Sequence, residues 1–387
     1  MGSDKFLRSV ESGKIQTPYF VVDQALIRRN LKIIDDVIKR TECKVVLALK
    51  AFSMYSTFGL LKKTLCGTCA SSVNEARLGK EEFGGEVHVF SAAYSEKDLK
   101  ELLELADHID FNSFEQWKRF KPLALKAKEK KNIEFGLRIN PEHSEGTTEI
   151  YDPCAKNSRL GITRKNFKPQ ELDGISYLHF HTLCEQNAEP LVRTLAAVEE
   201  KFGEFIPKMK YVNFGGGHHI TREDYKVDLL VDTINKFKKK YNVQVYLEPG
   251  EAVVLNTGFL VSEVLDIIEN GMQIAVLDTS AACHMPDVLE MPYRPFVINS
   301  GKSNEKKYTY RLGGMSCLAG DIIGDYSFDK PLNVGDKIIF TDMTHYSMVK
   351  TNTFNGLNLP TIAIYDTDAD ELKVIRSFGY KDFKERL

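Results

Sequence analysis

The stretch KVVLALKAF, residues 44–52, sets how the rest of the chain is read. Its first six residues form a β-branched, apolar run that reads as a strand. The run ends on Lys50, a lysine with apolar residues on both flanks. Working outward, seven similar runs follow: GTCAS (67–71), EVHVFS (86–91), HIDFNS (108–113), EFGLRIN (134–140), SYLHFH (176–181), KYVNFG (210–215) and QVYLEP (244–249). Between them lie amphipathic segments of helix length, such as those at 95–108 and 223–241. Eight strand–helix units in one run point to a (β/α)8 barrel rather than an open sheet. We place this barrel at 23–255, with an extra helix at 23–40 ahead of the first strand.

From about residue 256 the pattern changes. GFLVSEVLDII, QIAVLD, KYTYRLGG, DKIIFTD, TIAIYD and ELKVIRS are strand-like, with Gly and Pro between them, and helical periodicity nearly disappears. The expected fold class is therefore α/β: a (β/α)8 barrel plus a C-terminal β-rich domain. That second domain is taken as 1–22 with 256–387, sandwich- or barrel-like, with the N-terminal segment IQTPYFVV (15–22) completing it. The loop from 141 to about 175 is long for a strand-to-strand connection, and such loops are often functional.

Composition narrows the classes. A chain of 387 residues with 43% hydrophobic and 27% charged residues can bury a sizeable core without metal or disulfide. The net charge of −2 supplies no basic field for nucleic acid, and the lysine runs near 128–131 and 238–240 read as solvated faces. No stretch approaches the roughly 18 apolar residues of a membrane span. The first residues lack an apolar export core, and Phe6 breaks the myristoylation pattern that Met-Gly begins. A cytoplasmic protein is expected. Seven scattered cysteines fit reduced thiols, and the CxxC of Cys66 and Cys69 has no second pair to make a zinc site.

In a barrel of this kind the active site lies at the C-terminal strand ends. The first strand ends in Lys50, whose apolar setting would depress its pKa and make it a nucleophile. The fifth strand carries Arg138 and Asn140. The sixth ends His179-Phe180-His181, and period-two geometry puts both imidazoles on one face, as a metal pair or as one core and one site histidine. The seventh ends in Gly215, Gly216 and Gly217, a plain turn or a nest of N–H groups for a phosphate. The eighth ends Glu248-Pro249-Gly250.

ALKA (48–51), HFH (179–181), FGGG (214–217), EPG (248–250) and GGMSC (313–317), in this order, resemble the alanine-racemase-like pyridoxal phosphate decarboxylases, which include ornithine and diaminopimelate decarboxylases. The resemblance implies pyridoxal 5'-phosphate as cofactor, with Lys50 as its Schiff-base lysine and Arg138 among the residues around it. It implies that His181 stacks on the ring, Gly215 to Gly217 hold the phosphate, Glu248 pairs with the pyridine nitrogen and Tyr346 lies near the phosphate. Cys317 would reach a neighbouring subunit's site and protonate the product, which implies a homodimer with shared active sites.

Three departures narrow the substrate. From His181 the chain runs HTLCEQ, with Leu183, Cys184 and Glu185, where those enzymes resemble HxGS; EPG is followed by Glu251 instead of Arg, and Cys317 is followed by Leu318 instead of an acid. HFHTLCEQ, EPGEA and SCLAGD together are similar to the carboxynorspermidine/carboxyspermidine decarboxylase branch. The substrate implied is a carboxylated polyamine, a polycation behind its carboxylate. Glu251, Asp287, Glu290 and Asp321 are the acidic candidates for its amines, and Arg294 a candidate for its carboxylate. Other readings are a diaminopimelate- or ornithine-type decarboxylase, a racemase, a metal-dependent barrel hydrolase using His179 and His181, and an inactive regulator, which would be expected to lack Lys50 or Cys317.

Overall fold

The computed structural model describes residues 4–146 and 148–387; the Met-Gly start read for lipidation lies outside the described residues. The chain divides into two compact units, residues 30–253 and residues 4–29 with 254–387, so the division falls inside helix Gln24–Thr41. In chain order the strands are Tyr19–Asp23 (β1), then Lys44–Ala48 (β2), Gly67–Ala70 (β3), Glu86–Phe90 (β4), His108–Phe111 (β5), Glu134–Arg138 (β6), Tyr177–His179 (β7), Tyr211–Asn213 (β8) and Gln244–Leu247 (β9). Strands β2 to β9 are parallel and close into one barrel, with Lys44 opposite Tyr246 and Val45 opposite Leu247 at the seam. The eight runs read from the sequence are these eight strands.

Local chemistry explains the alternation. Ser72, Ser95 and Ser113 follow β3, β4 and β5 and cap the next helix, their hydroxyls accepting from the N–H groups of Glu75, Asp98 and Gln116. Each such cap contributes about 1 kcal/mol. Helix Val227–Tyr241 stops where Asn242 turns left-handed, at φ 53°, and sends its N–H back to Lys238. Inside the barrel the period of two stacks side chains in layers. Tyr177 and Tyr211 stack at 4.2 Å over the lower core with Val46 and Tyr246. Gly136 has to be glycine, because a Cβ there would meet the Tyr177 ring at 2.1 Å.

At the N-terminal strand ends His88 and His108 stack at 3.9 Å, and Glu86 meets both rings, the Tyr246 hydroxyl and the Lys44 ammonium. Parallel rings aim their lone pairs side by side rather than at a common point, and Lys44 already neutralises Glu86. This cluster is a polar floor to the barrel.

The second unit is a mixed sheet of eight strands. Its strands besides β1 are Gly258–Glu269 (β10), Gln273–Leu277 (β11), Tyr308–Gly313 (β12), Ile322–Phe328 (β13), Lys337–Thr341 (β14), Thr361–Asp366 (β15) and Glu371–Arg376 (β16). The long β10 joins two parts: its first half pairs with β1 and β14, its second half with β11 beyond an irregularity at Val264/Asp266. β1 lies between β10, antiparallel, and β15, parallel. Both faces of β1 are buried, Tyr19 and Val21 against Phe6, Phe259 and Tyr365, Phe20 against Leu260, Tyr310 and Phe340. Each such side chain contributes about 1.5–3 kcal/mol.

Two elements of this unit were not legible in the sequence. Helix Asp4–Glu11 buries only Phe6 and Val10, too few apolar positions to give a period. Strand β13, IIGDYSF, carries a Gly-Asp pair that reads as a turn; Asp325 is held in the strand by a two-point ion pair with Arg311 on β12. Among the described residues no helix is long and apolar enough to cross a membrane, and all seven cysteines are free thiols.

Candidate active site at the barrel mouth

The C-terminal strand ends bring Lys50, His181, the glycines and Glu248 together. Lys50 Nζ lies 3.2 Å from His181 Nε2, and His181 Nδ1 accepts the Gly216 N–H at 2.9 Å. Lys50 is open to the mouth on one side and walled by protein elsewhere. Removal from water lowers its pKa, and Arg138 adds to this. Burial, with Lys50 and Arg138 nearby, also drives the His181 pKa well down. A neutral imidazole accepting at Nδ1 carries its proton on Nε2, aimed at the lysine nitrogen. The lysine is thereby held toward its nucleophilic, uncharged form.

The glycines are sterically required. Gly215 and Gly217 have φ of 69° and 86°, and a Cβ on Gly216 would lie 2.2 Å from the Glu248 carbonyl oxygen. On Gly217 it would lie 1.8 Å from the Leu183 carbonyl oxygen. Arg138 is buried behind the site: it donates to the His181 carbonyl at 2.8 Å and stacks over Phe90 at 4.4 Å. Burial lowers its pKa to about 10. It therefore fixes the backbone of His181.

Glu248 is held from two sides. Asn213 donates to Oε1 at 2.7 Å, and His179 Nε2 lies 3.5 Å from Oε2. His179 Nδ1 in turn lies 3.1 Å from Asp110 Oδ2. Burial works to raise the Glu248 pKa, but His179 outweighs it and holds the carboxyl well below the usual carboxylate range. Burial works to lower the His179 pKa, and here Glu248 and Asp110 outweigh it, so the imidazole is held protonated. Asp110, Asn213 and the role of His179 were missed in the sequence; the only signal was the HFH alternation, which left a site histidine and a core histidine indistinguishable. Glu251 opens the short helix Glu251–Val254, with Oε2 3.3 Å from His219 Nε2.

In the sheet unit, taken by itself, the remaining candidates lie in loops and short helices between the strands. Cys317 is exposed on a loop whose N–H donates to Asn355 at 2.7 Å. Asp321 is 3% exposed and accepts from the N–H groups of Ala282 and Ser316. Its carboxylate is thus already engaged in shaping the Cys317 loop. Asp287 accepts from the Tyr293 and Ser347 hydroxyls through Oδ2, while Oδ1 is buried with no hydrogen-bond partner among the described residues. Ser347 is next to Tyr346, which opens helix Tyr346–Val349. Arg294 packs over the Tyr326 ring at 4.4 Å, and Glu290 meets the Lys350 ammonium.

The barrel-mouth residues fit pyridoxal phosphate: an amine at Lys50 whose pKa burial lowers, a glycine turn that no Cβ can enter, and a carboxylate at Glu248 that burial does not protonate. They fit a metal poorly. His179 is committed to two carboxylates, and His181 Nδ1 is committed to a backbone N–H.

Residues 19–344 match the family described as "Pyridoxal-dependent decarboxylase, C-terminal sheet domain". The chain is 44% identical over 384 residues to the carboxynorspermidine/carboxyspermidine decarboxylase of Campylobacter jejuni, covering 96% of this chain and 99% of that protein. It is 42% identical over 383 residues to the carboxyaminopropylagmatine decarboxylase of Synechocystis, covering 98% of each. The crystal structure of the Campylobacter jejuni carboxynorspermidine decarboxylase complexed with norspermidine superposes with a TM-score of 0.89 at 42% identity, over 96% of this chain and 100% of that one.

Proposed function

The chain belongs to the pyridoxal-dependent decarboxylase family, and on that premise we propose that it decarboxylates carboxynorspermidine, carboxyspermidine or both, to norspermidine and spermidine. The observation that carries the reading is the placement, at one barrel mouth, of a lysine amine whose pKa burial lowers, 3.2 Å from His181, with a buried carboxylate held ionised. When bound, pyridoxal phosphate supplies the ring that accepts the electron pair left by departing carbon dioxide. Lys50 would hold the cofactor through its ε-nitrogen. Glu248 would keep a proton on the ring nitrogen, since opposite charge favours the charged form. His181, fixed by Gly216 and Arg138, would orient the ring, and the glycine turn would receive the phosphate. Gly216 gives its N–H to His181, so phosphate binding falls to its neighbours in the turn. Tyr346 belongs to the same proposal, near the phosphate.

Cys317 would deliver the proton that replaces the lost carboxylate, across the interface of a homodimer. Exposed Met315, Leu318 and Phe354 near it, at 43%, 44% and 46%, suit a surface that a second subunit covers. For the substrate's far amine Asp287 is favoured over Asp321, because Asp287 Oδ1 is still unpartnered whereas Asp321 is engaged with backbone. Glu251 and Arg294 are secondary candidates. Free thiols suit a reducing, cytoplasmic setting.

The test is a substrate panel. Carboxynorspermidine and carboxyspermidine are expected to show kcat/KM values at least about 30-fold above ornithine and diaminopimelate, since removing a charged partner from a buried acid costs about 2 kcal/mol or more. Comparable turnover of ornithine or diaminopimelate would sink the reading. Carboxyaminopropylagmatine belongs in the panel because a relative is named for it. The two triamines differ by one methylene, which a pocket separates by only about 1–3 kcal/mol.

A further inference from the structure

Glu248 is itself held in place, by Asn213 on one oxygen and His179 on the other. We propose that His179 is a positioning residue that fixes Glu248 in its ionised form toward the cofactor's ring nitrogen, with Asp110 fixing His179 in turn. The inference rests on the reading that Glu248 meets that nitrogen.

The geometry is a buried row across the barrel. Asp110 comes from β5, His179 ends β7, Asn213 ends β8 and Glu248 follows β9. Asp110 and His179 are each 2% exposed, Asn213 0% and Glu248 9%. The row runs Asp110 Oδ2, 3.1 Å, His179, 3.5 Å, Glu248 Oε2, while Asn213 takes the other Glu248 oxygen at 2.7 Å. Neither imidazole nitrogen makes an aligned hydrogen bond, so charge holds the row together. Two carboxylates taken out of water this close to each other would drive one of them to protonate. A cation between them removes that pressure, and a neutral Glu248 could not hold a proton on a pyridine nitrogen. Asn213 then fixes the direction: it lies beside His179 across the β7–β8 pairing, so its amide and the imidazole clamp the carboxylate from both sides.

Other ionisable groups face the row. Arg138 lies beside both carboxylates; Lys50 and His181, two residues beyond β2 and β7, and His88 on β4 face Glu248; Cys69 on β3 faces Glu248 and Tyr177 faces Asp110. Arg138 is turned toward the His181 carbonyl and the Phe90 ring, so it adds positive potential without contacting Glu248 as His179 does.

The test uses the holoenzyme with His179→Gln, Asp110→Asn and Glu248→Gln. Three quantities are read: cofactor dissociation constant, the visible absorbance of the bound cofactor against pH, and kcat with KM. His179→Gln is expected to lower kcat about 10–100-fold, the scale on which losing a group that orients a ligand usually acts. Substrate KM should stay within about threefold, because substrate binding is untouched. The pH at which the bound cofactor's spectrum changes should move to lower values, as the ring nitrogen loses its ionised partner. Asp110→Asn should act in the same direction and more weakly, and it reads the same row if His179→Gln does not fold. If Glu248→Gln perturbs the spectrum while both of the other variants leave spectrum and kcat unchanged, the role of His179 is overturned and the role of Glu248 stands. If Glu248→Gln leaves the spectrum unchanged as well, the ring-nitrogen reading fails and this inference falls with it.

Discussion

His218 links the acid stability of the barrel to its glycine turn. It follows Gly217 directly and is 2% exposed. Its Nδ1 meets the Tyr225 hydroxyl at 2.7 Å, and its Nε2 has no hydrogen-bond partner among the described residues. Burial, with His219 adding to it, lowers its pKa to about 4, against about 6.5 in the unfolded chain. A group whose folded pKa is depressed stabilises the fold fully above the unfolded value and loses that contribution as pH falls toward the folded one. At pH 7.5 neither state binds the proton. At pH 5 the unfolded state is almost fully protonated and the folded state about one-tenth, so this histidine costs the fold about 2 kcal/mol. The same segment is tied to the substrate-branch sequence: Gln186 donates to the Gly217 carbonyl and accepts from the His219 N–H. Protonating His218 therefore loosens the turn that would receive the phosphate. The perturbation is His218→Gln, and the assay is urea unfolding of cofactor-saturated protein at pH 7.5 and 5.0. Wild type should lose about 2 kcal/mol more than the variant over this interval, with faster cofactor release at pH 5. His108 and His284, which burial also depresses, are common to both proteins and cancel in the difference. If the two proteins lose stability in parallel, His218 is not the group that titrates, and the reasoning from its burial is wrong.

Lys50→Ala should abolish the visible absorbance of bound cofactor and all turnover while leaving the circular dichroism spectrum in place; a yellow variant would refute the assignment. Gly217→Ala puts a Cβ 1.8 Å from the Leu183 carbonyl, so it should weaken cofactor binding at least about tenfold, a change of 1.4 kcal/mol, and an unchanged dissociation constant would count against the phosphate turn. Cys317→Ala should leave cofactor binding intact and slow or divert protonation of the product. Equal rate and product yield in that variant would remove Cys317 from the mechanism.

The sequence by itself determined the barrel. Strand identity depends on local runs such as residues 44–49 and 244–249, and helix starts depend on the serines between them, all within a few residues of chain. The period of two also fixed which side chains point inward, so Lys50, His179, His181 and Glu248 were legible as one set before any coordinates. What they do to one another was not. Whether His179 meets a metal, a core or a carboxylate depends on which residues of other strands lie at its height, and strand stagger around a closed barrel decides that. The tertiary structure put Asp110 and Glu248 on either side of His179 and Asn213 beside it. It also engaged Asp321 with backbone N–H groups, a use that sequence chemistry cannot distinguish from gripping an amine. Likewise β13 became a strand because Arg311, fourteen residues earlier in the chain on β12, reaches Asp325. Direction is a property of the strand a residue sits on, and partnership is a property of the strands around it.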